Sequence, residues 1–290
     1  MTAHRYLQLD VFAPQPGTGN PLGVVFDADR LTTDAMQALA AWLNLSETVF
    51  FVTPTAPEAD YHIRIFTPGS ELPFAGHPSV GAAWAAVTSG LASPREGSLL
   101  QQCAAGLLPV RVTGTSEAPV IHLASPPARA CSVAAGTLPQ TLQAVAGPDA
   151  QPELWDNGPR WWLLAARDAA SVRALRPDMA ALRDWTNETA ATGVAVFAPE
   201  ACDGHDLVVR AFCPGDAVNV PEDPVTGSAN ALIASVLAQR GQLPGQDGRY
   251  IASQGREVGR DGRVHLHVDS TGVAWIGGHV QPIIDGTVHW

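Results

Sequence analysis

Three residues of this 290-residue chain carry side chains suited to moving protons, and their placement draws them together: Glu47, His77 and Asp223. A carboxylate and an imidazole can take or give a proton near neutrality, and a second carboxylate can orient or assist them. The last two are linked by an internal repeat. Residues 66–85 and 212–231 match without a gap: Phe66 with Phe212, Pro68 with Pro214, Gly69 with Gly215, Pro78 with Pro224, Gly81 with Gly227 and Ala83 with Ala229. Arg64 and Arg210 extend the match upstream, and in this register His77 stands opposite Asp223. Glu47 precedes the β-prone run Val49–Thr53, and the matching place in the second half falls near Thr192. Identical residues in the two halves report the fold, whereas unlike polar residues at symmetric places point to chemistry. Taken alone, each also fits a plainer role. Glu47 fits a solvated turn carboxylate, and His77 a structural imidazole bonded to its own loop. Asp223 fits a helix N-cap just ahead of Pro224, a role that can coexist with ligand binding.

The elements that position these residues follow from the same repeat. Each loop copy runs into a small, apolar stretch, which predicts helices over 78–87 and 224–239. Helix N-termini carry unpaired N–H groups and partial positive charge, so two of them suffice to hold a carboxylate without lysines. Gly76 at one start, and Gly227 with Ser228 at the other, let a ligand approach the backbone. A helix apolar nearly all round must be buried, and the runs around it alternate as strands do, for instance Leu7, Leu9 and Val11, or Tyr61, Ile63 and Ile65. The expected fold is therefore α+β: two pseudo-symmetric domains from a duplication, each a curved, barrel-like sheet around a central helix. The boundary is placed at Ser125-Pro126-Pro127, giving domains over 1–124 and 125–283, with a strand at 284–290 able to complete the first. The active site is expected in the cleft between the domains.

Composition excludes several function classes. The formal charge is −11 and the 17 Lys and Arg residues are scattered, so no basic face exists for nucleic acid. No run approaches the roughly 20 apolar residues of a membrane span, and the N-terminus lacks an apolar signal core, which predicts a cytoplasmic protein. Four cysteines without a Cys-x-x-Cys pair suit a reducing compartment and supply no metal framework. His265 and His267 share a strand face but have no third ligand, and Gly17-Thr18-Gly19 lacks the third glycine of a dinucleotide loop. Trp161 and Trp162 sit in a strand and read as core or interface.

Together these residues resemble the PhzF family within the diaminopimelate epimerase-like superfamily. The likeness spans nearly the whole chain, through Asp10-Val11-Phe12, Gly19-Asn20-Pro21, Leu45-Ser46-Glu47-Thr48, Arg64–Pro68, Glu71–Pro78, Glu222–Ala229, and Gln254-Gly255 followed by Gly259-Arg260. The resemblance implies a site between two pseudo-symmetric domains that uses neither cofactor nor metal. It makes Glu47 the catalytic acid/base, with His77 and Asp223 assisting, and it puts Asn20, Gly76, Gly227 and Ser228 on the substrate. A homodimer is implied as well. Related epimerases use two opposed thiols; motif alignment places those at Ala75 and Asp223, and no cysteine stands at either. The expected activity is an isomerase that shifts a proton, for instance by double-bond migration, in a small carboxylate-bearing substrate. The alternatives are a thiol-free epimerase or racemase, a hydrolase using the same cleft, and a non-catalytic metabolite-binding member.

Overall fold

In the computed structural model the described residues are 2–115, 118–215 and 221–290; residues 216–220, inside the second loop copy, lie outside them. The chain divides into two compact units. One comprises residues up to Ala124 together with Gly277–Trp290, and the other Ser125–Ile276. The chain returns to the first unit from Gly277, ahead of the strand at 284–290 expected from the sequence.

The first unit contains β1 (Ala3–Val11), β2 (Asn20–Val25), α1 (Thr33–Leu43), β3 (Glu47–Val52), β4 (Tyr61–Phe66), β5 (Glu71–Leu72), α2 (Gly76–Thr88), β6 (Ser98–Cys103), β7 (Gly106–Gly114) and β8 (Pro119–Ala124). β2 pairs antiparallel with β1 and parallel with β3; β4 is antiparallel to β3 and parallel to β6; β7 joins β6 and β8 antiparallel. The other edge of β1 is taken by the last strand of the chain, Val280–His289, antiparallel. Every residue of α2 from Gly76 to Ala86 is buried. A helix with no polar side needs cover all round, and the sheet curves to give it, touching α2 through β1, β2, β3, β4 and β8. The approach is close at Gly81, where a Cβ would lie 2.4 Å from Leu22 Cδ2 and 2.9 Å from Val11 Cγ2. The amphipathic α1 instead packs one stripe, Met36, Leu39 and Ala40, against Val25, Phe50 and Phe66.

The second unit repeats the plan with β9 (Arg129–Ala130), α3 (Gln140–Gln143), β10 (Glu153–Asp156), β11 (Arg160–Ala165), α4 (Ala169–Ala174), α5 (Met179–Glu188), β12 (Gly193–Cys202), β13 (His205–Phe212), β14 (Glu222–Asp223), α6 (Gly227–Gln239), β15 (Arg249–Gln254) and β16 (Gly262–Val268). β17 (Ala274–Gly278) then leads the chain back to the first unit, where β18 is the strand Val280–His289. The parallel pairs β11–β12 and β13–β15 alternate with the antiparallel pairs β12–β13 and β15–β16, as in the first unit. α6 is its buried helix. α4 and α5 supply Val172, Leu182 and Trp185 to a core with Trp162, Leu164, Val196 and Phe212.

The two units correct the register of the repeat. β5 pairs on β4 as Phe66↔Glu71 and Ile65↔Leu72, and β14 pairs on β13 as Phe212↔Glu222 and Ala211↔Asp223. The same ion pair marks both junctions: Arg64 grips Glu71 at 2.7 Å, and Arg210 grips Glu222 at 2.7 Å. From there the structural partners are Ala75 and Thr226, Gly76 and Gly227, and His77 and Ser228. The ungapped match therefore fails beyond Phe66 and Phe212. The connection 213–221 is longer than the connection 67–70, and the shared prolines and glycines matched by composition rather than by hydrogen bonding. His77 is thus not the counterpart of Asp223. Nor does Asp223 cap the helix: it lies in β14, and the N-cap residue of α6 is Thr226. The helices start at Gly76 and Gly227, not at Pro78 and Pro224. The pair of places where opposed thiols would stand is Ala75 and Thr226 rather than Ala75 and Asp223, and neither is cysteine.

Candidate active site

In the first unit, the parallel pairing of β2 with β3, Leu22↔Glu47, sets the starts of the two strands side by side. Asn20, 1% exposed, opens β2, and the Ser46 hydroxyl donates to its Oδ1 at 3.2 Å. The loop before Asn20 is held by Asp10, whose carboxylate accepts the N–H of Gly17 at 2.8 Å and of Gly19 at 3.1 Å. Gly19 is required by space, since a Cβ there would lie 2.2 Å from the Val11 carbonyl oxygen. His77, the second residue of α2, is buried and brings Nε2 to 3.5 Å from Glu47 Oε2. Burial pushes the Glu47 carboxyl up from its ordinary 4.5 to about 7, with the Ser46 hydroxyl pulling it part of the way down. A carboxyl that titrates near neutrality can serve both as acid and as base. Asn20, Glu47, Gly76 and His77 are therefore brought together within this unit.

The second unit gathers Asp223, Gly227 and Ser228. Ser228 is held at both ends: its Oγ accepts from Trp161 Nε1 at 3.1 Å, and its carbonyl accepts from Asn157 Nδ2 at 3.0 Å. An indole N–H can only donate, so the Ser228 hydroxyl keeps its own proton to give. Asp223 Oδ2 accepts the Thr226 hydroxyl at 2.7 Å. Gln254, at the end of β15, bonds both residues.

The two buried helices share a further property. Neither the N-cap Ala75 of α2 nor the N-cap Thr226 of α6 makes a side-chain cap hydrogen bond, whereas Thr32, Asp168 and Asp178 cap α1, α4 and α5. Alanine has no oxygen to offer, and the Thr226 hydroxyl is turned to Asp223. First-turn N–H groups without a side-chain cap at a glycine start are suited to an anion.

Sequence reasoning missed Asn157, Thr226 as a polar participant, and the structural use of Gln254. Thr226 and Gln254 lay inside the motifs quoted above, but their roles depend on side-chain hydrogen bonds that spacing does not show. Asn157 carried no signal. Trp161 is core, as its strand position suggested, and also reaches Ser228. Among the described residues one group, Glu200, Cys202 and His205, has metal-ligand types within 4.8 Å of one another. Arg173 and His205 both bond Glu200, and with Arg173 the larger influence they hold its carboxyl down at about 2. Glu200 and His205 of that group belong to an ion-pair cluster with Arg173. No helix of the described residues is long and apolar enough to cross a membrane.

Over residues 9–281 the sequence matches PhzC-PhzF, the phenazine biosynthesis-like protein family. Trans-2,3-dihydro-3-hydroxyanthranilate isomerase of Pseudomonas aeruginosa is 35% identical over 273 residues, covering 93% of this chain and 92% of its own. Antisense-enhancing sequence 1 of Schizosaccharomyces pombe is 32% identical over 297 residues, 99% of each chain. Among solved structures, a PhzF-family phenazine biosynthesis protein from Bacillus anthracis superposes with a TM-score of 0.84 at 23% identity, covering 100% of both chains. The fold is the α+β, diaminopimelate epimerase-like one.

Proposed function

Because the chain belongs to the PhzC-PhzF phenazine biosynthesis-like family and is an isomerase, we propose that it shifts a proton within a small carboxylate-bearing substrate, with Glu47 as the acid/base. One observation carries this reading. A buried carboxyl held near neutrality sits 3.5 Å from an imidazole, beside a helix start without a side-chain cap. Glu47 as carboxylate takes a proton from one carbon, the double bond migrates, and the same carboxyl returns the proton to a second carbon. The composition of the substrate is unchanged, and the enzyme ends as it began, with no cofactor consumed. His77 and Asp223 orient the substrate. The N–H groups at Gly76 and Gly227, with the Ser228 hydroxyl, hold its carboxylate or the charge that develops on it.

The test is a panel of small unsaturated and hydroxylated carboxylic acids that includes trans-2,3-dihydro-3-hydroxyanthranilate, on which the Pseudomonas aeruginosa relative acts by name. Double-bond position in the products is read by NMR, and deuterium uptake from heavy water by mass spectrometry. Glu47→Gln keeps the shape and removes the titrating proton, so turnover is expected to fall roughly 10²–10⁴-fold. Full turnover by Glu47→Gln would refute the role of Glu47. Inversion at a stereocentre without double-bond migration would replace isomerisation by epimerisation. The absence of cysteine at Ala75 and Thr226 speaks against the two-thiol form of that chemistry.

A further inference from the structure

Gln254 is 1% exposed and uses the whole hydrogen-bonding capacity of its amide. Its Oε1 accepts from the Thr226 N–H at 3.1 Å and from Asn230 Nδ2 at 2.9 Å. Its Nε2 donates to the Asp223 carbonyl at 2.9 Å and to Thr226 Oγ1 at 2.9 Å. Two of these partners are backbone groups of fixed polarity. An N–H can only donate and a carbonyl can only accept, so the amide has one possible orientation. With Nε2 donating to Thr226 Oγ1, the threonine has just its own hydroxyl proton to give, and the acceptor in reach is Asp223 Oδ2 at 2.7 Å.

The first unit anchors its buried helix from a different place on the matching strand, since by ladder register Gln101 corresponds to Ala252, two residues before Gln254. Gln101 donates to Ser79 Oγ at 3.0 Å, and Ser79 is the fourth residue of α2 as Asn230 is of α6. There the chain of bonds continues into the core, through Tyr61 OH to Gln101 Oε1 at 3.1 Å, and not to the helix start. Gln101 anchors its helix with a single bond to Ser79. In the second unit the arrangement is extended to a carboxylate.

We propose that Gln254 is a positioning residue for Asp223, acting through Thr226: it aims the Thr226 hydroxyl at Oδ2 and so fixes the carboxylate beside the start of α6. The same aim withholds that hydroxyl from capping α6, which leaves the first-turn N–H groups to a ligand. The catalytic part of this inference rests on the reading of Asp223 given above.

Two measurements test it. In the free enzyme the Thr226 hydroxyl proton is expected as a slowly exchanging NMR resonance that is lost or displaced in Gln254→Glu and in Asp223→Ala. A resonance unchanged in both variants overturns the proposal. In turnover of trans-2,3-dihydro-3-hydroxyanthranilate, Thr226→Val is expected to lose about 10–100-fold, the scale of one hydrogen bond to a charged group, in kcat rather than in KM. Thr226→Ser, which keeps the hydroxyl, restores most of that loss. In an Asp223→Ala background Thr226→Val costs nothing further, whereas a purely structural role would add its loss in either background. Additive losses overturn the proposal. If Asp223→Ala itself retains full turnover, the catalytic reading of Asp223 fails, while the hydroxyl resonance still decides whether Gln254 orients it. Gln254→Glu puts a second acid into a buried site, and the Thr226 pair keeps the test decisive where that variant does not fold.

Discussion

Among the residues placed in the candidate site, Glu47 carries the carboxyl that burial raises from its ordinary 4.5 to about 7. The folded protein holds its proton up to a pH of about 7, whereas the unfolded chain releases it near 4.5. The sign of the linkage follows: the native state binds the proton more tightly, so this contribution to stability is complete below 4.5 and is lost as pH rises through 7. Glu47→Gln is therefore expected to match the wild type in acid and to exceed it above neutrality, by at most about 3 kcal/mol. Urea melts on either side of that window read the difference, and equal stability throughout would show that burial does not hold the proton. The identity of Glu47 as a candidate was legible in the sequence through its Ser-Glu-Thr context. What made it chemically apt was not. Its burial, and the approach of His77, depend on a parallel strand pair and a helix start that come together only in the folded unit.

At the scale of the element, capping distinguishes the two buried helices α2 and α6 from α1, α4 and α5. Thr32, Asp168 and Asp178 each satisfy first-turn N–H groups, while Ala75 and Thr226 do not. Ala75 already has the extended backbone of an N-cap, φ −150° and ψ 141°. Ala75→Ser is thus expected to stabilise the protein by about 1 kcal/mol, roughly 2–4 °C in Tm, and to reduce turnover by competing for the same N–H groups. A calorimetric scan and an assay on one preparation check both halves of the forecast. The helices themselves were readable as small, apolar runs behind a turn-rich loop. Their starts were not, because Pro78 is tolerated inside the first turn of α2 while Pro224 lies before α6, so proline marked different places in the two copies. The register error had the same origin. Only the ladders Phe66↔Glu71 and Phe212↔Glu222 show where the two connections diverge.

At the scale of the whole molecule, the duplication was visible in Arg64 and Phe66 against Arg210 and Phe212, although the loop match that follows them was one of composition only, and the α+β architecture followed from two buried helices among alternating runs. The allocation of the chain to units was harder to read, because β18 carries exposed residues over much of its length and signals no core. It is nevertheless the antiparallel partner of β1 from Ala3↔His289 to Val11↔Val280. Removing residues 280–290 is expected to leave β1 with a bare edge and to yield aggregated protein. The fragment 125–276, which keeps its own sheet and its buried helix, is expected to melt cooperatively by itself. Circular dichroism of the two preparations distinguishes these outcomes, and a soluble, cooperatively folded 1–279 would show that β18 is dispensable.

The place of β18 also sets an order in time. During synthesis the ribosome delivers β1 first, but its partner leaves the exit tunnel only after the whole of the second unit has emerged. The half that is made first is the half that finishes last, and for that interval β1 waits with one row of backbone hydrogen bonds unmade. A nascent chain stalled before residue 280 should therefore be the species that chaperones hold.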